Sequence, residues 1–251
     1  MRNFNYNKWP GLHALQFNWA LENLPIQTKW ILRIDADEYL TEELIKEINL
    51  ILEDISDDVS GIILKRRHVF LNKWVKHGVY PVKLLRIFRF GDGFCEQRFM
   101  DEHITLRRGK SIELKNDFVD HNLNDLGWWT QKHNGYAVRE AIDLLVNEFN
   151  LSGVPVRDDT IEIGTQAARK RSVKSKYVRM PLFIRSFLYF FYRYFIRLGF
   201  LDGKEGFLWH FLQGWWYRTL VDARIWEVKK ACGNDREKIR TYIKDNFHYR
   251  I

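Results

Sequence analysis

With 251 residues, 46% of them hydrophobic and 29% charged, the chain can form one sizeable α/β domain with an appendage, and it is too apolar to be disordered. Two cysteines, Cys95 and Cys232, are too few for a disulfide scaffold and point to a reducing compartment. The formal net charge of +8 directs attention to anionic partners, either nucleic acid or a membrane surface.

In chain order, Met1–Tyr6 has no apolar h-region and is not expected to act as a signal peptide. Leu12, Leu15 and Trp19 predict a short helix ending near Asn23. Residues 30–34 (Trp-Ile-Leu-Arg-Ile) read as a buried strand that ends abruptly in Asp35-Ala36-Asp37-Glu38. In extended chain, i and i+2 share a face, so Asp35 and Asp37 can reach one ion or one polar ligand. Two carboxylates at a strand's C-terminal end sit where open α/β sheets bind ligands, and hard divalent cations prefer such oxygens. The bland alternative is a solvated turn before a helix, because Thr41-Glu42-Glu43 has the form of a helix start. Leu44, Ile45, Ile48, Ile51, Leu52 and Ile55 then fall on one helical face.

Strands are predicted over Gly61–His68 and Leu84–Phe90, with a turn at Gly91-Asp92-Gly93. A long helix is predicted from Leu126 to about Asn150, with Trp129, Tyr136, Ala137, Ala141, Leu144 and Leu145 on its inner side. Ser152 to Ile163 is loop-like and marks the expected boundary between a catalytic part (1–151) and a helical, basic and aromatic part (152–251). Between Gly164 and Leu201 there are nine Lys or Arg and no acid, which accounts for the whole charge excess. The aromatic run Phe183–Leu198 that follows carries Arg185, Arg193 and Arg197 and is too short to span a bilayer. It is expected to be an amphipathic helix in the membrane interface, held by cations, with a core helix as the alternative. Nucleic acid is disfavoured, because the aromatics form a continuous apolar run and not interleaved stacking platforms.

Taken together, the blocks Leu21-Glu22-Asn23, Trp30-Ile31-Leu32, Asp35-Ala36-Asp37-Glu38, Tyr80-Pro81, Leu85-Arg86-Ile87-Phe88-Arg89, Met100-Asp101-Glu102-His103, Asp120-His121-Asn122, Trp128–Asn134, Tyr136-Ala137 and Arg197–Gly203 resemble bacterial family 2 glycosyltransferases. The resemblance runs, in order, over roughly residues 4 to 227. It implies an inverting, nucleotide-sugar-dependent enzyme with a GT-A fold, a Rossmann-like, doubly wound α/β sheet, working in cell-surface polysaccharide biosynthesis. The implied donor is a nucleotide-sugar and the acceptor a glycan or lipid-linked glycan. The implied location is cytoplasmic, peripheral on an anionic membrane surface at the inner face of the cell membrane.

By this resemblance, Asp37 and His121 hold a divalent metal (Mg²⁺ or Mn²⁺) that bridges the donor diphosphate, and Asp35 contacts the ribose or a metal-bound water. The catalytic base is Asp101 or Glu102. The family often has a His-Glu pair here, whereas this chain has Asp-Glu-His, so the choice stays open with Asp101 preferred. Arg86 and Arg89 are candidates for phosphate binding, or they solvate a strand edge. Lys132 and His133 are read as acceptor-side or structural, with structural preferred. Family members carry an N-terminal segment of first strands that grips the nucleotide. No positions here match it, so the sheet is expected to be incomplete on that side. The alternative function is an inactive remnant with only a membrane- or partner-binding role.

Overall fold

The computed structural model describes residues 13–96, 103–151 and 176–249. Helix α1 (His13–Asn23) leads through strands β1 (Trp30–Leu32) and β2 (Glu38–Leu40) to helix α2 (Glu42–Glu53). Strands β3 (Val59–Phe70), β4 (Lys73–Trp74), β5 (Val82–Arg89), β6 (Gly93–Cys95), β7 (Ile104–Leu106) and β8 (Lys110–His121) follow, and then the long helix α3 (Leu126–Phe149). The C-terminal part contains α4 (Ile184–Phe191), α5 (Gly203–Trp209), α6 (Tyr217–Cys232) and α7 (Arg236–Phe247). Tyr192–Ile196 and His210–Trp216 are π-helical, and Gly199–Asp202 is a 3₁₀ turn. The chain is thus a mixed α/β structure with a helical C-terminal region.

Local chemistry explains the elements that were expected. Thr41 caps α2 by accepting the Leu44 N–H, Glu42 and Glu43 sit at the positive end of its dipole, and Leu44 and Ile48 are buried. Asp125 caps α3 in the same way through Trp128 N–H, and Asn150 ends the helix in the left-handed conformation. The predicted inner face of α3 is the observed one, with Trp129, Ala137, Ala141 and Leu145 buried and Tyr136 and Leu144 packed partly against the core.

The main sheet has the order β1-β5-β3-β8-β2, with β4 paired onto β3. A doubly wound sheet leads one to expect several parallel neighbours; among the described strands only β3 and β8 run parallel. The connections explain this. The links from β3 to β4 and from β3 to β5 are too short for a crossover and produce antiparallel partners of β3, whereas residues 71–109 are long enough to return the chain parallel. Strand β8 was not among the elements expected from sequence.

Ile87 and Phe88 are neighbours in β5 and point to opposite faces. Ile87 packs with Leu44, Ile48, Ile62, Leu64 and Phe118 under α2, and Phe88 packs with Ala14 of α1 and with Cys95, Ile104 and Leu106. A third cluster joins α3 to α6 and α7 through Ala141, Leu145, Val221, Ile225, Ile239 and Ile243. A fourth, made of Phe70, Val75, Trp129 and Trp209, fastens the helices to the sheet.

The aromatic run is not a single regular helix with its arginines outward. It is α-helical to Phe191 and π-helical to Ile196, and two of its three arginines turn inward. Arg185 donates from Nε to Asp222 Oδ1 at 2.7 Å, and both side chains are almost completely buried. Arg193 donates to the Gly78 carbonyl at 3.0 Å and to Tyr189 Oη at 3.1 Å. A guanidinium carried into a protein interior needs such partners, and here a buried carboxylate and a loop carbonyl supply them.

Two buried histidines also tie the parts together. His133 stacks on Trp129 at 3.5 Å and donates from Nδ1 to the Trp129 carbonyl at 2.8 Å. Burial, reinforced by Lys132, pushes its pKa down to about 4. His210 donates from Nε2 to the His77 carbonyl at 3.1 Å, and burial and Arg193 push its pKa down to about 4 as well.

Two predictions follow from these buried groups. Asp222→Asn strands the Arg185 charge and should lower the unfolding free energy by about 3 kcal/mol or more, read from the urea midpoint. The two histidines bind protons in the unfolded chain near the ordinary 6.5 but in the folded chain only near 4. Their contribution is therefore present above pH 6.5 and is lost as pH falls toward 4. The thermal midpoint should drop across that window, and the drop should be smaller in His133→Gln/His210→Gln.

Candidate functional site

The acidic segment 33–37 links β1, at one edge of the described sheet, to β2, at the other. Its tip is a turn closed from both sides: Glu38 N–H donates to the Asp35 carbonyl at 3.0 Å, and Asp35 N–H donates to Glu38 Oε2 at 3.0 Å. Arg86 lies beneath the turn, stacked over Phe118, and donates from Nη2 to Asp35 Oδ2 at 3.3 Å and, in a closer contact, to Glu38 Oε1. Arg33 adds a second cation 3.9 Å from Asp35.

The three acids of this segment have distinct environments. The Glu38 side chain is only 2% exposed; burial raises its pKa, against the pull of Arg86 and the Asp35 N–H. It is the anchor of the turn. The Asp35 side chain is 49% exposed and offers its outer lone pairs to solvent. Among the described residues the half-buried Asp37 carboxylate has no hydrogen-bond or ion-pair partner.

Strand pairing brings the distant part of the site to this turn. In the β2–β8 register Glu38 lies opposite Asp120, and His121 N–H donates to the Asp37 carbonyl at 2.8 Å. Asp37 and His121, proposed from sequence as one metal pair, are therefore adjacent. His121 Nε2 lies 3.1 Å from Asn72 Oδ1, at the tip of the β3–β4 hairpin. Both tip residues, Leu71 and Asn72, have positive φ (49° and 62°); Asn tolerates this conformation, and for Leu it is uncommon.

Beside this pair, Asp120 forms an ion pair with Arg66 at 3.3 Å and a hydrogen bond with His68 Nδ1 at 3.1 Å. Burial alone would raise the Asp120 pKa; the hydrogen bond and charge of His68, with Arg66 and Arg86, outweigh it and hold the carboxyl below its ordinary range. His68 packs against Trp209 at 3.9 Å. On the alternate positions of the same strands, Asp117 accepts from Tyr80 Oη at 2.8 Å and from Arg67 at 3.3 Å, and burial together with Asp117 pushes the tyrosine pKa up to about 12.

Of the other residues singled out from sequence, Asp101 and Glu102 lie outside the described residues. Arg86 and Arg89 do not solvate a strand edge, because β5 lies between β1 and β3 and both side chains are buried. Arg86 serves the carboxylates, and Arg89 donates to the carbonyls of Val59 at 2.6 Å and Ser56 at 3.1 Å. Glu38 as anchor, the Arg66–Asp120–His68 row and Asn72 were missed. The alternation of Ile112 and Leu114 with Ser111, Glu113 and Lys115 was the signal that could have placed β8.

The donor set suits a divalent cation shared with a phosphate ligand. Among the described residues no three His, Cys, Asp or Glu side chains converge as a closed metal cage. Mg²⁺ is commonly held by one or two protein groups with the remaining positions left to waters and phosphates, and a free Asp37 beside His121 fits that pattern. Two surface clefts of about 420 and 620 Å³ open elsewhere, around Lys29–Arg89 and between α1 and Phe94, and neither is lined by Asp35, Asp37 or His121.

Arg86→Gln removes the cation that restrains the buried Glu38. The Glu38 pKa, already raised, should move further up, and the 35–38 turn should loosen; an NMR titration of the Glu38 carboxyl checks this, and an unchanged value would remove Arg86 from its role. Compared with models of known protein families, the chain matches none.

Proposed function

We propose that this chain is a metal-dependent, inverting glycosyltransferase of the family 2 type with a GT-A catalytic fold, moving a sugar from a nucleotide-sugar to a glycan or lipid-linked acceptor at a membrane surface. The observation that carries this reading is the uncommitted Asp37 carboxylate held beside His121, with the half-exposed Asp35 two residues earlier on the same turn. Two of the family-like blocks, Asp35-Ala36-Asp37-Glu38 and Asp120-His121-Asn122, are far apart in sequence and adjacent in the fold.

In this reading Asp37 and His121 hold the divalent cation. When bound, the cation supplies Lewis-acid neutralisation of charge on a leaving nucleoside diphosphate. Asp35, braced from behind by Arg86, accepts a hydrogen bond from a ribose hydroxyl or a bound water. Arg86 is already engaged with Asp35 and Glu38, so its part is to orient the acids; direct phosphate contact requires it to release one of them. The acceptor hydroxyl oxygen attacks the anomeric carbon from the face opposite the diphosphate, the carbon–oxygen bond to the diphosphate breaks, and the hydroxyl proton passes to Asp101, with Glu102 as the alternative base.

The test is calorimetric titration with nucleoside diphosphates in the presence and absence of Mn²⁺. Binding should require the metal, and Asp37→Asn should weaken it by at least about ten-fold without unfolding the protein. Asp101→Asn should leave that binding intact and lower turnover by about 10²-fold or more; the same pattern from Glu102→Gln would exchange the two roles. Unchanged diphosphate affinity in Asp37→Asn would sink the metal assignment and favour a non-catalytic binding protein.

A further inference from the structure

The inward turn of Arg185 and Arg193 leaves the outer face of the aromatic run without the cations expected there. Phe187, Phe191, Phe195, Ile196, Phe200 and Leu201 are each 43–60% exposed. The first three form an i, i+4, i+8 row, with ring centroids 6.5 Å apart between Phe187 and Phe191 and 5.0 Å apart between Phe191 and Phe195. Tyr194 extends the contact, 5.0 Å from Phe195 and 6.3 Å from Phe200. This is one connected apolar surface, and such surfaces mark interaction sites.

The charges around it select the partner. Lys176, Arg179, Arg197 and Lys204 are exposed along the same stretch, and no acid occurs between residues 164 and 201. Asp202, the next acid, is buried and spent on the backbone N–H groups of Lys76 and His77 at 2.8 Å each. A second copy of the chain would set this cationic rim against itself, a like-charge contact that disfavours a self-complementary interface. Anionic lipid headgroups match the rim, and acyl chains match the aromatic row. Among the described residues no helix is long and apolar enough to cross a membrane.

We propose that the α4–π segment is a monotopic membrane seat, in which the Phe187–Phe191–Phe195 row and Ile196 enter the acyl boundary of an anionic bilayer, with Arg179, Arg197 and Lys204 meeting headgroup phosphates. This deepens the proposed function, resting on its membrane-surface part but not on sugar transfer. The seat is held by apolar insertion, and its cations supply only the salt-sensitive share.

The inner side of the same segment reaches the candidate site. Arg193 holds the Gly78 carbonyl, His210 holds that of His77, and Asp202 also bonds His77 Nδ1 at 2.7 Å. This loop follows β4, directly after Asn72, whose side chain contacts His121. A bilayer gripping the outer side therefore also holds the 76–78 loop, which is joined through β4 to Asn72 and so to His121.

Vesicle flotation of the full chain tests this, with phosphatidylcholine vesicles containing one-third phosphatidylglycerol, at low and at molar salt. Wild type should float at low salt and remain partly bound at molar salt, because apolar contacts are not screened. Phe191→Ser/Phe195→Ser should reduce binding at least about ten-fold at both salts, with its thermal midpoint kept. Ile196→Ser/Phe200→Ser provides a second, independent pair should the first fail to fold. Arg179→Gln/Arg197→Gln/Lys204→Gln should lose binding only at low salt. Complete release of wild type by molar salt, wild-type flotation by the serine variants, or no flotation at all would overturn the proposal. So would a dimer in sedimentation velocity that the serine variants dissociate. Mn²⁺-dependent diphosphate binding in the same variants keeps the two readings apart: it should survive in the serine variants, and Asp37→Asn should float like wild type.

Discussion

The three-residue ladder between β2 and β8 is the constraint on which the candidate site depends. It sets Glu38 opposite Asp120, and the hydrogen bond from His121 N–H to the Asp37 carbonyl brings the backbones of these two residues together. Strand β8 is held on its other side by β3, which it joins in parallel with His68 opposite Asp120 and Val69 opposite His121. A one-residue slip of this register would turn every side chain on β2 to the opposite face and would separate the pair.

Concentrating acids at one sheet end is costly without counter-charges, and the fold supplies them from within. Arg86 serves Asp35 and Glu38, while Arg66 and His68 serve Asp120. The buried members therefore act as a scaffold, and the Asp37 carboxylate and the exposed side of Asp35 are left outside it. Low dielectric makes such a network stiff when it is complete and costly when one partner is lost.

The helical C-terminal region is bound to this scaffold by polar and apolar contacts alike. Trp209 packs on His68 and Phe70, and Asp202, Arg193 and His210 hold the loop that follows β4. The core cluster of α3, α6 and α7 crosses the boundary drawn at residue 151, since α3 lies before it and its partners after it. The outer apolar face and the inner polar clasp belong to the same short segment, 185–202, so an event on one side is mechanically close to the other.

Sequence alone determined the elements whose cause is local. Thr41 and Asp125 announce helix starts, the spacing of Ala137, Ala141 and Leu145 marks the inner face of α3, and the apolar runs mark β3 and β5; the run expected as a buried strand over 30–34 is instead the short edge strand β1, with Leu32 and Ile34 exposed. The acidic turn was legible as a residue pattern, whereas the pairing of Asp37 with His121 was expected from the family resemblance and not from any local pattern. Strand order and register decide which distant residues meet, and these depend on non-local pairing that no single stretch encodes. The direction of Arg185 and Arg193 was misjudged for the same reason. Helical periodicity places them on one side of the helix, but only the buried Asp222 and the Gly78 carbonyl, contributed by other parts of the chain, decide that this side faces inward.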